Sequence, residues 1–169
     1  MSNNTGSAEA NRIPVRLRSF VPDDLPALFA LDQVCFRKGI SYPFEVLAII
    51  TDGARSITLI AETDALNIAG FCVVQLERKS HSTVGHVITI DVDPQARQQG
   101  VGRSLMQAQE DNLVALGVRH CVLEVAVDDP GALEFYTRLG YHVTSRLRGY
   151  YMGRVDALMM EKSLVGAKA

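Results

Sequence analysis

A strand that leads through a glycine-containing turn into a helix dominates this sequence and leaves few folds open. Residues His86 to Val92 have the pattern of a strand. Beyond the turn, apolar residues recur at helical spacing, and Gly117 is a plausible C-terminal stop. The residues predicted to share one helical face are Leu105, Ala108, Leu113 and Leu116.

The turn itself, D-P-Q-A-R-Q-Q-G-V-G at residues 93–102, has the composition of an anion-binding loop. Gly100 and Gly102 lack Cβ atoms, so backbone amides can converge there. The first amides of the following helix have no intrahelical partners and carry about half a positive charge, which favours a bound pyrophosphate. Arg97 and Arg103 add positive side chains. A helix-capping turn without function is the alternative, because two glycines alone are weak evidence.

Two other phosphate-binding loops do not fit. A dinucleotide-binding fingerprint needs a third glycine where Leu105 stands, and a P-loop needs Gly-Lys followed by Ser or Thr, which is absent. The strand, turn and helix therefore predict a different kind of anion site.

Composition limits the classes of protein that the chain can represent. Its 169 residues fit one domain, and the formal net charge of −2 offers no positive field for nucleic acid or anionic lipid. Three widely separated cysteines lack metal-ligand spacing, so we predict no metal site and free thiols in a reducing compartment. With no signal-peptide pattern and no membrane-spanning apolar run, we predict a cytoplasmic protein that does not bind a membrane.

Strand-like and helix-like segments alternate along the chain, which predicts a mixed α/β domain. We expect a flexible tail over residues 1–12 and the domain over residues 13–165. The predicted strands lie around Val15 and Leu17 and at 57–62, 70–78, 86–92, 120–127, 141–150 and 156–164; the predicted helices begin at Pro22, Pro43, Gly102 and Pro130.

The string R-Q-Q-G-V-G, preceded by V-D-P, matches the acetyl-CoA motif [QR]-x-x-G-x-[GA]. On these residues the chain resembles the GNAT superfamily of N-acetyltransferases. The resemblance implies a central, mostly antiparallel twisted sheet of about seven strands, with flanking helices and a split between parallel fourth and fifth strands. It also implies acetyl-CoA as the acetyl donor.

Three further strings are similar to the RimI-type and archaeal N-terminal α-amino acetyltransferases. They are G-H-V-I-T-I-D-V, L-E-V with A-L-E-F-Y-T-R-L-G-Y, and G-Y-Y-M-G-R-V-D-A-L-M-M. The resemblance implies a peptide or protein N-terminus as acceptor, with a ribosomal protein as one candidate. A monomer or homodimer is expected.

The resemblance also assigns the coenzyme site. Backbone of the strand would pair with the pantetheine arm, amides of the turn would hold the pyrophosphate, and arginines would add charge. The residues so assigned are Ile90, Asp91, Val92, Arg97, Gln98, Gln99, Gly100, Val101, Gly102, Arg103, Ser104, Asp129 and Tyr136. Asp129 stands where relatives commonly have asparagine, and an ionised carboxylate can accept but not donate a hydrogen bond.

Acetyl transfer to an amine needs a base, an acid and a binding slot. Glu124, mid-strand among apolar residues, matches the general base of RimI-like enzymes, although an outward-facing strand residue is the alternative. His86 shares a strand face with Ile88 and Ile90 and resembles a helper of the glutamate, although a lone histidine at such a position is more often structural. Tyr136 matches the general acid; otherwise it is a core tyrosine.

Three tyrosines are the predicted acceptor slot: Tyr42, Tyr150 and Tyr151. An α-amine with a pKa near 8 needs only about 1.4 kcal/mol to lose its proton at pH 7, against roughly 4.6 kcal/mol for lysine. This arithmetic favours an α-amine. A lysine, a small amine or an antibiotic remains an alternative acceptor, and a CoA-binding module without catalysis is a third possibility.

Overall fold

The computed structural model describes residues 12–164 and shows one seven-stranded sheet with four helices in that part of the chain. Apart from Arg12, the predicted tail lies outside the described residues. The elements are β1 (Arg16–Ser19), α1 (Leu25–Cys35), α2 (Phe44–Thr51), β2 (Ser56–Glu62), β3 (Gly70–Arg78), β4 (Thr83–Val92), α3 (Val101–Ala115), β5 (His120–Ala126), α4 (Pro130–Arg138), β6 (His142–Tyr151) and β7 (Val155–Ser163).

The strand order β1-β2-β3-β4-β5-β7-β6 confirms the predicted mixed architecture. Every neighbouring pair is antiparallel except β4 and β5, which run parallel. Because a parallel connection needs a crossover, α3 lies between these two strands in sequence. The glycine turn thus precedes α3, the helix that connects the two parallel strands.

Helices cover both faces of the sheet. Apolar side chains of α3 and α4, including Leu105, Leu113 and Tyr136, form one buried cluster on one face. Leu28, Leu31 and Leu47 of α1 and α2 form a second cluster on the other. The predicted face of α3 is wrong at one position, since Leu116 follows the last residue of the helix and is 59% exposed. Met106, Gln109 and Glu110 complete the buried face instead.

A β-bulge in β4 changes which side chains share a face. The pairing with β3 shifts between Val73 and Val74, and Ile88 is the extra residue. Ile88 packs in the α1–α2 cluster, whereas Ile90 packs in the α3–α4 cluster. The expectation that His86, Ile88 and Ile90 share one face is therefore wrong, because strand alternation does not continue through a bulge.

Candidate active site

The site lies where β4 and β5 separate. Their parallel pairing is limited to Gly85 with Cys121 and His86 with Val122. Beyond His86, residues 87–92 of β4 pair with β3 on one side, and the described residues of β5 provide no partner on the other. This wedge confirms the predicted split and leaves one backbone edge of Ile90 to Val92 open to an extended ligand.

The glycine turn has the backbone of an anion cradle. Gly100 is the N-cap of α3 with φ 94°, and Gln98 also has a positive φ, of 59°. No side chain caps this helix, so its first amides keep their hydrogen-bonding capacity. A Cβ at Gly102 would lie 3.2 Å from the Phe135 ring, so a glycine allows α4 to pack close to the turn. These features fit a pyrophosphate.

Polar and basic side chains surround the turn. Gln99, Gly100, Arg103 and Ser104 line a cavity of about 390 Å³ together with Arg12 and other residues. Arg97 Nε donates to the Val92 carbonyl at 3.1 Å. Arg97 therefore also fixes the end of β4.

Two aspartates assigned to the coenzyme site have their side chains engaged elsewhere. Asp129 Oδ1 caps α4 by accepting from the Ala132 amide at 2.9 Å. Asp91 is fully buried, and its Oδ1 accepts from Thr89 Oγ1 at 2.7 Å. Burial raises the pKa of Asp91 well above its usual range. The Asp91 carboxyl group therefore belongs to the buried interior of the sheet.

His86 stands between two glutamates. Its Nε2 lies 2.6 Å from Glu124 Oε2, and its Nδ1 contacts Glu77 Oε1 on β3. The exposed side-chain fractions are 11% for Glu124, 15% for His86 and 33% for Glu77. The three groups thus lead from the interior of the site towards solvent. Glu77 was not predicted.

The contacts between these three side chains change the pKa values of His86 and Glu77. Burial alone would lower the pKa of His86, but the hydrogen bonds from Glu124 and Glu77 outweigh it and raise the pKa above 6.5. For Glu77, burial acts to raise the pKa, but hydrogen bonds with His86 and Lys79 lower it below its ordinary value. The chain of groups therefore favours a proton on the imidazole between two carboxylates.

The three predicted tyrosines gather around Glu124. Burial, followed by the nearby Glu124, raises the pKa of Tyr150. Burial, with Tyr150 as the next largest influence, raises the pKa of Tyr42 to about 12, and the Tyr42 hydroxyl donates to the Ile88 carbonyl at 3.4 Å. The rings of Tyr150 and Tyr151 meet edge to face, 5.0 Å apart. All three hydroxyls therefore stay protonated near neutral pH.

Tyr136 lies on the other side of the split. It packs in the α3–α4 cluster at 7% exposure, in edge-to-face contact with Phe135 and Tyr141. Burial raises its pKa well above the ordinary value, with Cys72 and Tyr151 as the next influences. Leu123 and Val125 of β5 pack in the same cluster as Tyr136, so Glu124, which alternates with them, lies on the opposite face of the sheet.

Two contacts join the connection between α1 and α2, which carries Tyr42, to distant parts of the sequence. A Cβ at Gly39 would overlap the sulfur of Met152 in the β6–β7 turn. Arg37 pairs with Asp128 at 3.0 Å, which ties the same connection to the end of β5. Neither contact was predicted, because each joins residues that are distant in sequence.

Among residues 12–164, no helix is long and apolar enough to cross a bilayer, and no group of three potential ligands is placed to hold a metal ion. Within the same range Cys35, Cys72 and Cys121 are free thiols.

The split between parallel strands and the uncapped start of α3 after the glycine turn are the arrangement that the family resemblance predicts for a coenzyme A-dependent transferase. Residues 25–141 match the model of the acetyltransferase (GNAT) family, and the chain belongs to that family. It is an N-acetyltransferase whose acetyl donor is acetyl-CoA.

Known proteins similar to the chain include several N-terminal acetyltransferases. It is 31% identical over 106 residues to the N-terminal acetyltransferase B complex catalytic subunit NAA20 of Arabidopsis thaliana, a match that covers 62% of the chain and 61% of that protein. It is 26% identical over 147 residues to the ribosomal protein bS18-alanine N-acetyltransferase of Escherichia coli, covering 85% of the chain and 94% of the relative. The crystal structure of the Escherichia coli ribosomal-protein-S18-alanine N-acetyltransferase superimposes with a TM-score of 0.78 at 25% identity, covering 92% of the chain and 99% of that structure.

Proposed function

We propose that this enzyme acetylates the N-terminal α-amino group of a peptide or protein, with a ribosomal protein as one candidate acceptor. The observation that carries the proposal is the contact of Glu124 with His86 beside Tyr150, at the mouth of the β4–β5 split. The names of two relatives describe N-terminal acetyltransferases, one of which acts on an alanine of a ribosomal protein.

Glu124 is the proposed base. Acetyl-CoA supplies a thioester; the acceptor nitrogen bonds to the acetyl carbon while the carbon–sulfur bond breaks, and the amine loses a proton. A carboxylate placed beside His86 can take that proton, directly or through one water. A single carboxylate is a sufficient base for an α-amine, because deprotonation of such an amine at pH 7 costs only about 1.4 kcal/mol.

Tyr136 is the proposed acid that returns a proton to the departing sulfur. Its burial keeps the hydroxyl protonated, and its position across the split from Glu124 separates the donor from the base. Acid and base groups with different environments can thus work in one transfer without neutralising each other.

The acceptor slot is proposed to consist of Tyr42, Tyr150 and Tyr151. Their rings supply apolar walls, and their protonated hydroxyls can bind backbone carbonyl groups of a chain end. The contacts of Gly39 with Met152 and of Arg37 with Asp128 hold this slot in place. Preorganisation of this kind lowers the entropic cost of binding a flexible peptide.

Backbone amides of residues 98–102 and Ser104 are proposed to bind the pyrophosphate, with Arg103 beside them. The uncapped start of α3 supports this assignment, since three or four amides there can donate to one anion. The open edge of Ile90 to Val92 is proposed to bind the pantetheine arm.

A panel of acceptors tests the proposed substrate. The purified enzyme is incubated with acetyl-CoA and, separately, with a peptide that begins with a free alanine, an α-blocked lysine peptide and spermidine, and thiol release is followed. We expect kcat/KM to be highest for the free N-terminus. Turnover of the blocked lysine peptide or of spermidine without turnover of the free N-terminus would refute the proposal. Acetyl-CoA binding with no turnover would indicate a module without catalysis.

We also propose a cytoplasmic enzyme, monomeric or homodimeric, that binds neither nucleic acid nor membrane. Three free thiols suit a reducing compartment, and the net charge of −2 gives no general attraction to polyanions. Sedimentation of the purified protein checks the oligomeric state.

A further inference from the structure

Glu77 is the one member of the Glu124–His86–Glu77 chain that no role in the transfer yet explains. It lies on β3, one strand further from the split than His86, and its Oε1 contacts His86 Nδ1. Its other oxygen, Oε2, lies 3.1 Å from Lys79 Nζ, and the Lys79 side chain is 58% exposed. Of the three linked groups, Glu77 therefore has the best access to solvent.

We propose that Glu77 positions His86 and forms the outer end of a path that carries the acceptor's proton from Glu124 to solvent. This inference rests on the proposed role of Glu124 as the base. A base that is 11% exposed must pass on its proton before the next turnover, and among residues 12–164 its ion-pair partner is His86.

Three proton transfers return Glu124 to its ionised state. At a pH above the raised pKa of His86 the imidazole is neutral, and Glu124, once protonated by the amine, gives its proton to Nε2 of this ring. His86 gives its Nδ1 proton to Glu77, and Glu77 releases it to water. One proton leaves the amine and one reaches solvent, and both carboxylates end ionised. The imidazole then returns to its starting tautomer by exchanging the proton between its nitrogens through solvent or through its partners.

The contact with Glu77 determines which tautomer of His86 is ready to accept. A carboxylate at Nδ1 favours the neutral tautomer with the hydrogen on Nδ1, so that the Nε2 lone pair faces Glu124. Removing Glu77 frees the ring to take the other tautomer, which would donate to Glu124 and could not accept its proton. Glu77 thus acts through His86 and does not touch the reacting atoms.

Other titratable groups lie close to Glu124, His86 and Glu77 but do not separate these three side chains. Tyr150 and Tyr151 of β6 and Tyr42 of the α1–α2 connection face Glu124, and Lys79 faces Glu77. The tyrosines stay neutral near pH 7, because burial raises the pKa of each. The pH dependence between pH 5 and 8 is therefore assigned to His86.

The test compares Glu77→Gln with Glu161→Gln. Glu161 is a matched control, because its Oε1 lies 2.8 Å from His120 Nδ1 in a second glutamate–histidine pair on the same sheet, away from the split. With the alanine peptide as acceptor, we expect Glu77→Gln to lower kcat about tenfold, with KM for acetyl-CoA and for the peptide within twofold of wild type. The acidic limb of the kcat profile should move to lower pH. Glu161→Gln should match wild type in all of these.

A double variant separates positioning from general stability. If Glu77 acts through His86, Glu77→Gln should have no further effect on kcat in a His86→Gln background. Glu77→Asp, which keeps the carboxylate, should restore at least half of the lost kcat. An unchanged kcat and pH profile in Glu77→Gln, or a full tenfold loss in the His86→Gln background, would overturn the inference.

A measurement on the wild-type enzyme covers the case in which Glu77→Gln does not fold. At a pH above the raised pKa of His86, nitrogen-15 NMR of the imidazole should show the neutral ring with its hydrogen on Nδ1; the opposite tautomer would overturn the inference. If the proposed function itself is wrong, the wild-type enzyme will leave the alanine peptide unmodified, and this result distinguishes that failure from a failure of the inference about Glu77. A wild-type enzyme that turns over, with Glu77→Gln equally active, rejects Glu77 alone.

Discussion

His86 Nε2 and Glu124 Oε2 lie 2.6 Å apart across the only parallel strand pair of the described sheet. The register pairs His86 with Val122, two residues before Glu124, and the strands diverge just beyond. A base and its partner are thus brought together at the point where the sheet opens.

Replacement of the base gives the first prediction. Glu124→Gln keeps the shape of the side chain but removes its ability to accept a proton, so kcat should fall about 100-fold or more. Acetyl-CoA affinity, measured by calorimetry, should stay within twofold, because the pyrophosphate cradle lies at α3. Wild-type turnover in this variant would refute the assigned role.

The proposed acid gives the second prediction. Tyr136→Phe removes one hydroxyl from a ring that is otherwise held by Phe135 and Tyr141. The fold and acetyl-CoA binding should persist, while kcat falls about 100-fold. Tyr141→Phe is the control, since its hydroxyl donates to Glu110 in the core; it should lose stability and keep most of its turnover. Equal activity of Tyr136→Phe and wild type would exclude a proton donor at this position.

Two glycines at the ends of α3 provide a matched test of the cradle. Gly100 and Gly117 have φ values of 94° and 76°, so alanine at either position costs about 1 kcal/mol of stability. Only Gly100 lies at the proposed pyrophosphate site. Gly100→Ala should weaken acetyl-CoA binding about tenfold by shifting a charge-assisted hydrogen bond, whereas Gly117→Ala should bind normally. Equal binding by both variants would contradict the cradle.

The pKa of His86 predicts how stability depends on pH. This pKa is raised in the folded protein because two carboxylates outweigh burial. Protonated His86 therefore adds to the free energy of unfolding. This contribution is complete below about pH 6.5, where an unfolded histidine is protonated, and it is lost as the pH rises through the pKa of His86 in the folded protein. The Tm difference between wild type and His86→Gln should be larger at pH 6 than at pH 9. A difference that grows with pH would contradict the ion-pair chain.

The strand, turn and helix around Gly100 could be predicted because their signals are local in sequence. Glycine spacing and helical periodicity depend on a few neighbouring residues, and the structure confirms β4 and α3. The gathering of Tyr42, Tyr150 and Tyr151 near Glu124 followed from the family resemblance, since no local pattern joins residues so far apart.

The contact of His86 with Glu77 could not be predicted. It depends on the register between β3 and β4 and on the bulge at Ile88, both of which are set by packing of the whole sheet. Strand alternation alone predicted Ile90 on the face of His86, which is wrong. A charged residue near the end of a predicted strand, as Glu77 is, was the only available signal.

The chemical class of the acceptor is the central claim, and one measurement tests it most directly. A single peptide with a free N-terminal alanine and an internal lysine is incubated with the enzyme and acetyl-CoA, and tandem mass spectrometry locates the acetyl group. We predict acetylation of the α-amine alone. Acetylation of the lysine with a free N-terminus would contradict the account.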